Sequence, residues 1–205
     1  MKHLIRRRAQ RKSTRDLLAH QIDVTLGGVA LALGAIDTPE GRADARASMA
    51  DIEHQGDNAR AEVIRVMSSR VTTHLDREDL YRASRSIDDV LDNTRDFVRE
   101  MIMWHAHPGQ LATTALGQIV ASLKELRGAV ASTNPVDVRE KCLAARKEAG
   151  QVRRTYQEGL ALIFGKELSM DTLKTRELLR RLDVIGLRLA EGADALLDGL
   201  IKRAI

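Results

Sequence analysis

Residues 76–101, DREDLYRASRSIDDVLDNTRDFVREM, carry the pattern that decides the fold of this chain. Apolar or small positions recur in this stretch at intervals of three and four, at Leu80, Ala83, Ile87, Val90, Leu91, Thr94, Phe97, Val98 and Met101. That spacing is typical of an α-helix with one buried face. The run Asp76–Asp79 begins the helix, and Pro108-Gly109 ends it.

Five more helices follow from the turn signals on either side. The first runs from about Ser13 to Gly34, the second from Asp37-Thr38-Pro39 to about Arg70, the fourth from Leu111 to Ser132, the fifth from Asn134-Pro135 to about Gly165, and the sixth from Ser169 onward. A cap residue followed by proline is a typical helix start. Aromatic residues make up only 2% of the chain, and no strand-like alternation competes. The sequence therefore predicts an all-α protein with six helices.

The order of helix lengths repeats, since one medium helix and two long ones occur twice. When the second helix is aligned on the fifth, Arg60 falls on Arg153, and when the third is aligned on the sixth, Asp88 falls on Asp183. We therefore predict two tandem three-helix bundles, residues 16–107 and 108–205, that together form one compact structural domain.

Charge and composition limit the functional classes. Residues 1–15 contain seven basic residues and no acid, whereas the rest holds 26 basic and 29 acidic residues. Such a basic N-terminal arm contacts an anionic membrane surface or a phosphate-rich partner, or stays solvated. Cys142, the single cysteine, excludes an intramolecular disulfide and a cysteine-based zinc site. The apolar run from Val24 to Ile36 is too short to span a bilayer, so we expect it in a buried helix and the protein in the cytoplasm.

Two pairs of carboxylates, Glu53/Asp57 and Asp88/Asp92, have the i,i+4 spacing that places both members on one helical face. If the second and third helices pack together, four oxygen-rich side chains converge, which favours a hard cation. The pairs lie beside the apolar positions, so we expect a surface site. The alternative is a solvated acidic stripe that continues through Asp96 and Glu100.

Three segments of this region resemble the signature of the PhoU-like phosphate-transport regulators. They are Glu53-His54-Gln55-Gly56-Asp57, Leu75-Asp76-Arg77-Glu78-Asp79-Leu80 and Ile87-Asp88-Asp89-Val90-Leu91-Asp92. The branch they resemble is the one associated with Pit-type low-affinity phosphate transporters. The resemblance implies a PhoU-like fold of two three-helix bundles with surface metal sites at the paired acidic motifs.

This resemblance assigns Glu53, Asp57, Asp88 and Asp92 as metal ligands, with Asp89 as an additional ligand. Oxygen ligands of this kind suit iron, manganese, magnesium or calcium. The second half departs from the pattern, because Arg146, Gly150 and Leu187 stand at the positions of Glu53, Asp57 and Asp92, and only Asp183 remains. We therefore expect at most one metal site, on the first bundle.

The resemblance implies a non-catalytic regulator of inorganic phosphate transport that acts by protein contact at the cytoplasmic membrane face. Its partner would be a Pit-type phosphate transporter or a signalling protein. The alternative is a nucleic-acid-associated helical protein that binds through its basic arm. The acidic body and the lack of stacking aromatics disfavour nucleic acid. The sequence leaves homo-oligomerisation open, as well as whether phosphate itself is sensed.

Overall fold

The computed structural model describes residues 13–69 and 76–204, which form six α-helices and, within those ranges, no strand. The helices are α1 (Thr14–Asp37), α2 (Pro39–Ser69), α3 (Arg77–Met103), α4 (Gly109–Ala131), α5 (Pro135–Phe164) and α6 (Met170–Ala204). The predicted all-α class and the helix count are confirmed. Most of the predicted basic arm, residues 1–12, lies outside the described residues.

Local side-chain caps begin the helices where the sequence indicates. Ser13 and Asp16 form a capping box at the start of α1. The Thr38 hydroxyl accepts a hydrogen bond from the Gly41 backbone N–H at 2.9 Å, at the start of α2. The Asn134 side chain accepts from the Val136 N–H at 3.0 Å and precedes the proline of α5. Each cap satisfies backbone N–H groups that have no partner within the helix.

The C-terminus of α3 is closed by a histidine in a backbone conformation that favours glycine. His105 has a φ of +51°. Its N–H donates to the Ile102 carbonyl at 3.1 Å, and the Ala106 N–H donates to the Met101 carbonyl at 2.9 Å. These two bonds define a Schellman motif, in which the left-handed residue is usually glycine. The motif ends α3 and turns the chain toward α4.

The helices pack as two sets of three. Within the first set α1, α2 and α3 all contact one another, and within the second set α4, α5 and α6 do the same. The two sets are joined by packing of α3 against α6 and of α1 against α4. One cluster of buried side chains runs through both sets, and its largest fully buried members include Leu18, Ile22, Leu80, Phe97, Leu116, Ile119, Leu178 and Leu179. The contacts of α3 with α1, α2 and α6 bury more than one face of that helix.

Helix α1 is unusually apolar. By length and composition alone, Thr14–Ile36 could cross a membrane, and 56% of its most apolar 18-residue window is buried within the protein. The burial comes from packing of α1 against α2, α3 and α4. The core helix of a soluble protein and a signal sequence near an N-terminus both meet the same criterion. Packing in the core covers a little over half of the apolar window of α1.

One ion pair recurs at aligned positions in the two halves. Between α2 and α3, Arg60 forms an ion pair with Asp88, and between α5 and α6, Arg153 forms one with Asp183 at 3.4 Å. Both aspartates are buried. The alignment made from the sequence places these four residues at equivalent positions, so the two helix pairs share one register.

The same register shows that the glycine of each helix pair lies on a different helix in the two halves. Gly56 on α2 lies against Leu91 on α3, so closely that a Cβ at position 56 would overlap the leucine side chain. At the aligned positions of the second half, Ala149 stands on α5 and Gly186 on α6, where a Cβ would lie 3.1 Å from the Ala149 carbonyl oxygen. The small residue is thus on the first helix of one pair and on the second helix of the other.

Ion pairs line the contact between α3 and α6. Arg181 of α6 pairs with Glu100 and, at 3.4 Å, with Asp96, and Arg188 of α6 pairs with Asp89 at 3.3 Å. The interpretation of Asp96 and Glu100 as part of a solvated acidic stripe is therefore wrong. Arg181 lies more than 80 residues from both of them in the chain, so local spacing cannot identify it as their partner.

Candidate metal site

The close contact between Gly56 and Leu91 places α2 beside α3 at the predicted site. Asp57 follows Gly56, Asp88 lies about one turn before Leu91, and Asp92 directly follows Leu91. The absence of a side chain at Gly56 lets the two backbones approach closely. This approach brings the acidic side chains of the two helices into one region.

Three carboxylates form a cluster on α3, which we call the carboxylate cluster: Asp88, Asp89 and Asp92. One oxygen from each lies within 4.8 Å of an oxygen from each of the others. Burial raises the pKa of both Asp88 and Asp92, and the charge of Asp57 on α2 adds to both shifts. Of the five predicted ligands, the structure thus brings three together in the cluster. Asp57 and Glu53 lie outside it, and the Glu53 carboxylate forms an ion pair with Arg95.

The electrostatics of the cluster are those of crowded, partly dehydrated negative charges. The pKa of Asp92 is raised to about 6, first by burial and then by Asp88, Asp57, Asp89 and Asp96. The pKa of Asp88 is also raised by burial, although Arg60 opposes the shift. A cation placed among these groups would relieve the repulsion.

Arginines compete for some of the same oxygens. Arg60 pairs with Asp88, Arg188 pairs with Asp89, and Arg95 lies 3.9 Å from Asp92. Asp57 is exposed, and the structure gives it no ion pair within the described residues. The donor set fits a hard cation, since all the facing atoms are carboxylate oxygens. Glu53 could join it only by leaving Arg95.

The structure corrects the expected position of one ligand. Asp88 was expected on the outer side of α3, but it is only 7% exposed. The sequence pattern identifies one apolar face, whereas α3 also packs against α2 and α6, and these contacts cover polar positions. Asp92 fits the expectation better, with its side chain 47% exposed. The site is therefore half-buried rather than fully at the surface.

The corresponding region of the second half has different chemistry. Arg146, at the position of Glu53, pairs with Asp194 at 3.0 Å, and the aligned Leu187 is an exposed apolar residue. The Asp183 oxygen Oδ1 is buried and accepts no hydrogen bond. Burial raises the pKa of Asp183, although Arg153 lowers it. Sequence reasoning missed Arg153; its position, equivalent to that of Arg60 in the first half, was the signal for it.

No protein-family model matches this chain, and no curated protein matches its sequence significantly. Two solved structures from Shewanella oneidensis MR-1 do resemble it. One is a PhoU-like protein, 15% identical, with a TM-score of 0.65 over 92% of this chain and 99% of that one. The other is a candidate PhoU-like phosphate regulatory protein, 16% identical, with a TM-score of 0.64 over 93% and 100% of the two chains. The chain therefore has the PhoU-like fold, as the sequence motifs predict.

Proposed function

We propose that this chain is a non-catalytic regulator of inorganic phosphate transport. The observation that carries this proposal is the match of fold over nearly the whole length of two PhoU-like proteins. The location of the carboxylate cluster at the α2–α3 contact supports it, because the same acidic segments suggest the PhoU-like signature in the sequence. The cluster offers metal ligands and charge, and its neighbours are arginines rather than a nucleophile and a base.

We propose further that the protein acts in the cytoplasm, at the inner face of the membrane, on a Pit-type phosphate transporter or a signalling partner. The seven positive charges of residues 1–15 support this location, since each basic residue near an anionic bilayer contributes about 1 kcal/mol to binding. The Pit association is supported by the motif resemblance alone.

A hard metal ion would be held by Asp57, Asp88, Asp89 and Asp92. It would neutralise the crowded carboxylates and connect α2 to α3 through shared ligands. Iron, manganese, magnesium and calcium all accept such oxygen donors. Binding of the ion would have to compete with Arg60 and Arg188 for Asp88 and Asp89.

Phosphate uptake in the source cells tests the regulatory role. We expect deletion of the chain to change the rate of radiolabelled phosphate uptake, and expression of the full chain to restore it. If deletion leaves uptake unchanged at both low and high external phosphate, the proposed function is wrong.

Metal content tests the site separately from the function. Full-length protein supplied with iron or manganese is expected to bind the ion, and a metal at 100 times its Kd should raise the free energy of unfolding by about 2.7 kcal/mol. Asp89→Asn with Asp92→Asn should abolish both effects. Asp171→Asn is the control, because Asp171 is an exposed aspartate on α6 whose side chain pairs only with Lys174 among the described residues. Elemental analysis that finds no metal in the wild type would contradict the site.

A further inference from the structure

A groove lies beside the carboxylate cluster, between the first half of α2 and the last half of α3. The groove has a volume of about 490 Å³, within the range of small-molecule sites. Its floor is apolar and includes Ala45, Met49 and Val98, all at most 4% exposed. The ion pair of Glu53 with Arg95 forms one end and separates the groove from the carboxylate cluster. We call it the α2–α3 groove.

The charges along this groove are net positive, with Arg46, Arg95 and Arg99 against Glu53, and in part unpaired. Arg46 on α2 and Arg99 on α3 line it, both are exposed, and neither has an ion pair or hydrogen bond to any residue that the structure describes. Arg95 is engaged by Glu53 and by Asp96, the latter at 3.3 Å. An apolar floor beneath two free guanidinium groups is complementary to a molecule with an apolar body and an anionic group. A cation would be repelled, and a neutral apolar molecule would leave the guanidinium groups without a partner.

The dimensions of the groove favour a small molecule over a helix or a membrane. Its lining on α2 extends from Ala45 to Glu53, which is about 12 Å along the helix axis. The anchors of a docked helix at i, i+3, i+4 and i+7 span about 10.5 Å and would fit this length. It is the volume of about 490 Å³, in the range of small-molecule sites, that favours a small molecule. The buried floor lies below the helix surfaces, so the headgroups of a flat bilayer would not reach it.

We propose that the α2–α3 groove binds a small amphipathic anion. Its apolar body would lie over Met49, Val98 and Ile102, and its carboxylate, sulfonate or phosphate group would be held by Arg46 and Arg99. This site does not depend on the metal or on the regulatory function, since the two arginines and the apolar floor are not predicted metal ligands. Glu53 is the one predicted ligand that lines the groove, and it is held there by Arg95.

Binding of n-octyl phosphate to the full-length protein, measured by calorimetry, tests the proposal. We expect one molecule to bind per chain, more tightly than n-octanol or inorganic phosphate, because each of these offers only half of the required chemistry. The double variant Arg46→Gln, Arg99→Gln should weaken binding by about tenfold or more, as expected for two lost charge-assisted hydrogen bonds. Ala50→Trp should also abolish binding, because Ala50 lines the groove.

A second groove supplies the matched control. It has a volume of about 450 Å³, lies among the end of α4, the start of α5 and the end of α6, and contains the exposed Arg139. Arg139→Gln should change octyl phosphate affinity less than twofold. Equal losses in Arg139→Gln and in the double variant would overturn the assignment. It would also be overturned if Ala50→Trp, shown by circular dichroism to be folded, bound octyl phosphate as the wild type does. Binding to anionic vesicles without any binding of octyl phosphate would overturn the small-molecule class.

Discussion

His105 occupies a backbone conformation that is unfavourable for a residue with a side chain. At a φ of +51° the Cβ approaches the backbone, and the strain of a non-glycine residue there is about 1–2 kcal/mol. His105→Gly should raise the free energy of unfolding by about 0.5–1 kcal/mol, since part of the gain is offset by the greater freedom of glycine in the unfolded chain. Urea denaturation followed by circular dichroism measures the change. His105→Ala, which keeps a Cβ, should bring no such gain; an equal gain in both variants would contradict the explanation.

Asp183 is a buried carboxyl group whose pKa is raised, mainly because burial disfavours its charge. At a pH below the ordinary pKa of an aspartate, Asp183 is neutral in both the folded and the unfolded states. As pH rises, the unfolded chain ionises first, so stability falls until the raised pKa is passed and stays reduced above it. The substitution Asp183→Asn removes this loss. The variant should therefore be more stable than the wild type at pH 7, and the two proteins should have nearly equal stability at pH 3.

Urea midpoints at the two pH values test this prediction. Asp194→Asn is the control, because Asp194 is a more exposed aspartate that also pairs with an arginine, Arg146. The explanation would be contradicted if Asp183→Asn showed the same change in stability at pH 7 as at pH 3.

At the scale of the helix, the Gly56–Leu91 contact sets the distance between α2 and α3. Gly56→Ala should lower the free energy of unfolding by about 1–3 kcal/mol, because the new methyl group would overlap Leu91. Leu91→Ala should cost about 2–5 kcal/mol through lost packing. In the double variant the new methyl group meets no leucine, so the combined loss should be smaller than the sum by at least about 0.5 kcal/mol.

Gly117 on α4 is the matched control for this double-mutant cycle. It is exposed, and a Cβ there would meet nothing within 4 Å. Gly117→Ala should therefore stabilise the protein by about 0.5–1 kcal/mol, the usual gain from replacing glycine within a helix. If the losses in the free energy of unfolding from Gly56→Ala and Leu91→Ala simply add in the double variant, the two side chains do not constrain each other's packing.

The helices and their caps could be predicted from the sequence because both depend on neighbours within a few residues. The capping box of Ser13 and the cap of Asn134 are examples. The partners of the acidic side chains could not be predicted in the same way. Arg181 reaches Glu100 across the α3–α6 contact, and Glu53 is held by Arg95 on another helix. These ion pairs depend on the angles and registers of packed helices, which local periodicity does not specify.

At the scale of the whole molecule, the question is whether the two helix sets unfold together. One cluster of buried side chains extends through both sets, so we expect a single cooperative transition. Trp104, the only tryptophan, lies at the junction of α3 and α4, and circular dichroism reports all six helices. Tryptophan fluorescence and circular dichroism should therefore change at the same urea concentration. Separate midpoints would mean that the two sets are independent domains.

The exchange of glycine between the two halves limits how this architecture can be recombined. If α3 and α6 traded places, Leu91 would face Ala149 and Gly186 would face Gly56. The Leu91–Ala149 contact would then be overcrowded, and the Gly56–Gly186 contact would be left with a void. A pair of consecutive helices, α2 with α3 or α5 with α6, carries both members of its own contact. For grafting, chimera construction or circular permutation, the interchangeable module is thus the helical hairpin and not the single helix.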